Sequence, residues 1–174
     1  MKFTKEDARK RVLNCAKQYQ QNLLHKKLLI IFRERQDNSI RFIEIIFHER
    51  NYQHLTGLEL TNTEGKILQH QSKNFYRKCI ENKLGLNDVD KVMGGVNFCL
   101  GLSRENDVFV PSSALLEDIK KLTSSPSQVL AIFEKDIDSE LYSTVKHVAK
   151  GLNLHHLILP PEISSKISLE HYVY

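Results

Sequence analysis

The sequence has no apolar run of the length, about 18–20 residues, that a membrane-spanning helix needs. Its seven glycines and four prolines are too few for a collagen-like or proline-rich disordered chain. Its three cysteines, Cys15, Cys79 and Cys99, are odd in number and far apart, and no CxxC pair occurs. That usage argues against a disulfide framework or a thiolate zinc site, and it points to a reducing, cytoplasmic setting. The loops GxGxxG and GxxxxGK followed by Ser or Thr are missing, as are HExxH and GxSxG. The first residues, Met1, Lys2, Phe3, Thr4 and Lys5, have no apolar stretch behind their charges, so no secretory signal is expected. No His, Cys or acidic residues show ligand spacing, so neither a metal nor a cofactor is expected. His155 and His156 are adjacent, and on a strand they would face opposite ways and could not share an ion.

What remains is an ordinary globular composition, 174 residues with 41% apolar and 26% charged. That length suits one domain able to bury a core without staples. The charge is uneven. Residues 1–35 hold ten Lys/Arg against three Asp/Glu, whereas the rest hold 15 against 18. A basic N-terminal segment permits contact with a polyanion, and it equally suits a solvated helix face.

Thr4 can cap a first helix, with Glu6 and Asp7 in its first turn. Ala8, Val12, Cys15, Ala16, Tyr19 and Leu23 then share one face. Apolar runs at 28–32 and 40–47 flank the turn cluster 36–39 and predict a hairpin, central in its sheet because both runs are apolar on both faces. Short strands are expected at 58–60, 96–102, 108–110 (stopped by Pro111), 129–133 and 154–159. Ser72 is expected to cap a helix carrying Phe75, Tyr76, Cys79, Ile80 and Leu84, with Gly85 as its left-handed end. A turn is expected at 62–65, a short helical turn starting at Asn87 and Asp88 and ended by Gly94 and Gly95, and a helix from Ser112 or Ser113 through Leu122. The stretch 141–149 fits helix by spacing and strand by residue type, with the balance towards strand. The fold class is α+β: an N-terminal helix and short helices packed on a mostly antiparallel β-sheet. Residues 1–26 form the basic helix, 27–163 a single domain and 164–174 a tail.

The densest polar cluster is His48, Glu49, Arg50, Asn51, Tyr52, Gln53, His54, Leu55, Thr56, Gly57, placed where an apolar strand ends. Its inventory suits RNA cleavage without metal. Attack of a ribose 2′-hydroxyl on its own phosphate needs an acid and a base near neutrality, and His48 or His54 supplies either. Arg50 can stabilise charge on the phosphate, and Tyr52 can stack on an unpaired base. Ser72 and Lys73 open a helix whose free N–H groups suit a phosphate. The same residues are also good turn formers and caps, and both readings stand at this point.

The segment from Asn51 to Gly57, the helix residues from Ser72 to Cys79, and Val110 and Pro111 ahead of 115–119 together resemble the fourth phage barnase–EndoU–colicin–RelE-like nuclease family, the PBECR group. The similarity extends over about 24–160. Tyr52 stands where the family more often has Phe. The resemblance implies a barnase/EndoU/RelE-like fold and a metal-independent, toxin-like endoribonuclease of phage or mobile-element origin. It implies RNA as substrate and an inhibitor protein as partner. Carried over by position, its motif residues are Asn51, His54, Thr56, Ser72 and Tyr76. The expected site is thus His54, Thr56, Arg50 and His48 for catalysis, with Asn51, Tyr52, Ser72, Lys73 and Tyr76 binding substrate. The alternative is a catalytically inactive RNase-like module that binds protein or nucleic acid.

Overall fold

A computed structural model of the chain describes residues 4–56, 72–83, 99–115, 122 and 125–169. The first helix, α1 (Lys5–Asn22), starts with a capping box. The Thr4 hydroxyl accepts from the Asp7 N–H at 3.1 Å, and the Asp7 carboxylate accepts from the Thr4 N–H at 3.2 Å. Ala8, Val12, Ala16 and Tyr19 are buried as the spacing predicts, with Leu13 beside them, while Cys15 is exposed. The helix stops where Leu23 and Leu24 both donate to the Tyr19 carbonyl. His25 then takes a left-handed φ of 63° and turns the chain into the sheet.

The expected hairpin forms. β1 (Lys26–Arg33) and β2 (Ile40–Ile46) pair antiparallel, from Lys27 opposite Ile46 to Arg33 opposite Ile40. Its turn is locked by Asp37, whose carboxylate accepts from the Ser39 N–H at 2.9 Å and pairs with Arg41 at 2.9 Å. The later strands are β3 (Cys99–Glu105), β4 (Val108–Leu115), β5 (Gln128–Asp136) and β6 (Thr144–Val148). They complete a six-stranded sheet in the order β3-β4-β2-β1-β5-β6, with the hairpin in the centre. The pairing is antiparallel in β1·β2, β1·β5 and β5·β6, and parallel where Ile45 meets Phe109. The fold class is α+β as expected, and 144–148 resolves as strand.

Four local expectations change. Pro111 does not stop β4, which continues to Leu115. The proline lies beyond the β2 pairing at Phe109, where its missing N–H removes nothing from that ladder. Ser112 and Ser113 therefore sit in the strand and cap no helix. Residues 154–159 form no strand, because the Asn153 side chain accepts from the His155 N–H at 2.9 Å and opens a 3-10 turn over Leu154–His156. The third helix, α3 (Ser72–Ile80), ends before Gly85. Asn82 supplies the left-handed φ of 57°, and Lys83 donates to the Lys78 carbonyl at 2.7 Å, a Schellman closure. The expectations for 57–71, 84–98 and 116–121 lie outside the described residues.

The chain divides into two compact units. The first takes in Met1–Leu24, Phe47–Ser103 and Val110–Glu117; the second His25–Ile46, Arg104–Phe109 and Asp118–Tyr174. The second unit centres on Leu29, Ile31, Leu130, Phe133, Tyr142, Leu154 and Ile163, all buried. Tyr142 is tied to the C-terminal stretch by a parallel bridge to Ile167. No helix among the described residues is long and apolar enough to cross a membrane.

Candidate functional site

The polar cluster read from the sequence lies in the first unit, on α2 (Asn51–Thr56) and the turn before it. After Phe47 the chain turns because Asn51 fastens it at both ends. The Asn51 Oδ1 accepts from the His48 N–H at 2.8 Å, and the Asn51 backbone N–H donates to the His48 carbonyl at 2.9 Å. Its Nδ2 donates to the Pro111 carbonyl at 2.7 Å. Asn51 is 4% exposed, so its amide is spent on the fold and is turned away from solvent. The His48 carbonyl also accepts from the Tyr19 hydroxyl at 2.8 Å, which fixes the turn to α1.

The aromatic residues of the expected site form an interior cluster. Tyr52 lies 5.2 Å from the Tyr19 ring and 5.7 Å from the Tyr76 ring, and Phe75 stands 6.2 Å from Tyr52. Tyr52 and Tyr76 are each 3% exposed, and the Tyr52 hydroxyl donates to the Val12 carbonyl. Burial raises the pKa of the Tyr19, Tyr52 and Tyr76 hydroxyls above the ordinary tyrosine range. At Tyr76 the neighbouring Glu49 charge pushes in the same direction. The Tyr52 ring therefore packs on protein rings, and no exposed face is left to meet a base.

Polar chemistry gathers on the outer side of the same helices, and α2 packs against α3. His54 and Arg50 are exposed, Lys73 is exposed, and His48 and Ser72 are half-buried. Glu49, which the sequence reading left without a role, sits at the junction. Its Oε2 lies 3.9 Å from both the Lys73 Nζ and the Arg77 Nε. That oxygen is buried and accepts no hydrogen bond among the described residues, nor does the buried Tyr76 hydroxyl find a hydrogen-bond partner there. Lys73 and Arg77 are one helical turn apart on α3, so both reach the same carboxylate. That spacing was a readable signal, and Arg77 was missed with Glu49. Thr56 donates its hydroxyl to the Gln53 carbonyl at 2.7 Å, closing the last turn of α2.

Thr56 also lines an apolar cavity of about 480 Å³ with Tyr52 and Leu55 of α2 and Val12, Cys15 and Tyr19 of α1. His54 is not on its wall. Among the described residues, no group of three or more His, Cys, Asp or Glu is arranged to hold a metal ion.

Residues 11–95 match the model of a family described as phage-Barnase-EndoU-ColicinE5/D-RelE like nuclease 4. The match bears out the resemblance over just under half of the chain. It begins ahead of residue 24 and contains Asn51, His54, Thr56, Ser72 and Tyr76, while 110–119 falls outside it. No curated protein and no solved structure matches the chain.

Proposed function

We propose that this chain, whose residues 11–95 carry a nuclease-like family signature, cleaves RNA without a metal. The reaction is attack of a ribose 2′-hydroxyl on its adjacent phosphate, releasing the 5′-oxygen and leaving a 2′,3′-cyclic phosphate. One observation carries the reading: the partly exposed Glu49 carboxylate stands between Lys73 and Arg77, with its Oε2 3.9 Å from each cation. The Glu49 side chain is one-third exposed although its Oε2 is enclosed, so the accessible part of the carboxylate can take the 2′-hydroxyl proton. Two flanking cations can hold the phosphate and stabilise the charge it gains in the transition state. His54, exposed on α2, donates the proton to the leaving oxygen, and Arg50 adds a cation at the rim. Asn51, Tyr52 and Tyr76 support this surface from beneath, and Thr56 holds the end of α2. In this reading the protein is toxin-like, of phage or mobile-element origin, with an inhibitor protein as partner.

The test is incubation of purified protein with mixed-sequence RNA, with and without chelator. Cleavage that leaves cyclic phosphate ends and survives the chelator is expected. Glu49→Gln and His54→Ala should each lower the rate by about 100-fold or more, the usual scale for losing an acid or base. Absence of cleavage, or cleavage abolished by chelator, would overturn the reading. A second reading is an inactive module that binds protein or nucleic acid. The inward-facing Tyr52 and Tyr76 favour it, since neither presents a ring for a base. RNA binding without cleavage by the parent protein would select it.

A further inference from the structure

We infer that the second unit contains a binding site for a phosphoryl group on Lys27, Lys135 and Lys166. Lys27 of β1 and Lys135 of β5 are directly opposed across an antiparallel pair. Directly opposed residues share a face, and like charges in that position destabilise a sheet. Glu44 of β2 stands opposite Leu29, one pleat along the same face, and its carboxylate is already engaged. Its Oε1 accepts from the Tyr142 hydroxyl at 2.7 Å, and its Oε2 from the Lys166 Nζ at 3.0 Å.

The lysines on the other face are matched: Lys26 and Lys146 share Glu134, at 2.7 and 3.4 Å. On this face, Lys135 lies over the Tyr142 ring at 4.8 Å and donates to the Glu140 carbonyl at 2.9 Å. The Glu140 side chain is the other acid in reach and is exposed. Lys27 forms no ion pair or hydrogen bond among the described residues, and the Glu44 charge that also reaches it is shared with Lys166. Lys27, Lys135 and Lys166 are all partly buried, so water does not fully relieve the repulsion. Burial and the Lys27 charge push the Lys135 pKa below the ordinary lysine value. An anion with several oxygens bridging Lys27 and Lys135 removes that conflict, and Lys166, whose charge also acts on Lys135, supplies a third donor. A phosphoryl group fits, because lysine ammonium groups act on phosphate as point charges.

Two sources share this chemistry, a free phosphate and a polynucleotide backbone, and the inference is independent of the nuclease reading. Melting of the intact protein is compared in sodium phosphate and in sodium chloride at equal ionic strength. Phosphate should raise the melting temperature by about 2 °C or more over chloride. Lys27→Gln should abolish that rise, and Lys27→Arg should keep it. Should Lys27→Gln fail to fold, Lys135→Gln serves the same purpose. In the second arm, a fluorescent deoxythymidine oligonucleotide of about 12 residues is titrated by anisotropy at several salt concentrations; it has no 2′-hydroxyl to attack. A salt slope lowered by about one in Lys27→Gln assigns the site to a polynucleotide. An unchanged slope beside the phosphate rise assigns it to free phosphate. No rise over chloride, or an equal rise in Lys27→Gln and Lys135→Gln, overturns the inference.

Discussion

Asn51→Ala tests whether this residue builds the site or touches substrate. In the structure the Asn51 amide satisfies two backbone groups, the His48 N–H at 2.8 Å and the Pro111 carbonyl at 2.7 Å. Alanine leaves both without their partner. A buried group stripped of its hydrogen bond costs about 1–3 kcal/mol. His48 is half-buried, so water can reach part of its share, whereas Pro111 is fully buried. The sum is about 3 kcal/mol. For a chain of this size each kcal/mol moves the melting temperature by about 2–4 °C, so a drop of about 6–12 °C is expected. Urea unfolding should show a lower midpoint with an unchanged slope. Asn51→Asp should fare no better, because it keeps the acceptor for His48 but sets a carboxylate oxygen against the Pro111 carbonyl. Whatever activity the parent has should persist per folded molecule well below the melting point. A shift under about 2 °C, combined with lost activity or RNA binding, would refute the structural assignment and return Asn51 to the substrate surface.

Tyr52→Phe removes the hydroxyl that donates to the Val12 carbonyl while leaving the ring cluster in place. A loss of about 1–1.5 kcal/mol in urea titration is expected; no loss would mean that the bond adds nothing to stability. Asp37 offers a pH test. Hydrogen bonds from the Ser39 hydroxyl and N–H, then Arg41, lower its pKa from 3.8 to about 2. A depressed carboxyl stabilises the fold above its unfolded pKa, and the effect is lost as pH falls from about 4 towards 2. Carboxyl carbon NMR should place its midpoint near the lower value, and a midpoint near 4 would show the turn lock to be absent.

The frame of the sheet was readable because apolar runs around a polar turn leave few alternatives. The runs 28–32 and 40–47 lie inside or against the central strands, and Thr4 with Asp7 announced α1. The misreadings fall where side chains compete with backbone patterns. Asn153 captures the His155 N–H and diverts an apolar segment from a strand. Pro111 reads as a breaker, yet it lies past the β2 pairing at Phe109 and β4 runs on to Leu115. Asn82 rather than a glycine closes α3, which asparagine can do because it tolerates left-handed φ.

The candidate site divides along a similar line. Residues 48–57 stood out as a polar stretch, and sequence adjacency did not tell which of their side chains face inward. Folding sorts them by direction. Asn51 and Tyr52 point inward, and their polar atoms close bonds to the Pro111 and Val12 carbonyls, while His54 and Arg50 remain exposed. A six-residue helix has room for both faces, so the inward residues fix the place from which the outward ones act. The charge constellation needs a second element as well. Glu49 precedes α2, and Lys73 and Arg77 lie on α3, more than twenty residues further along the chain. Their meeting depends on the aromatic packing of Tyr52 against Phe75 and Tyr76. The ring cluster and the Glu49 group are therefore one construction. A substitution that loosens the rings should disturb the Lys73–Glu49–Arg77 group without touching any of its charges.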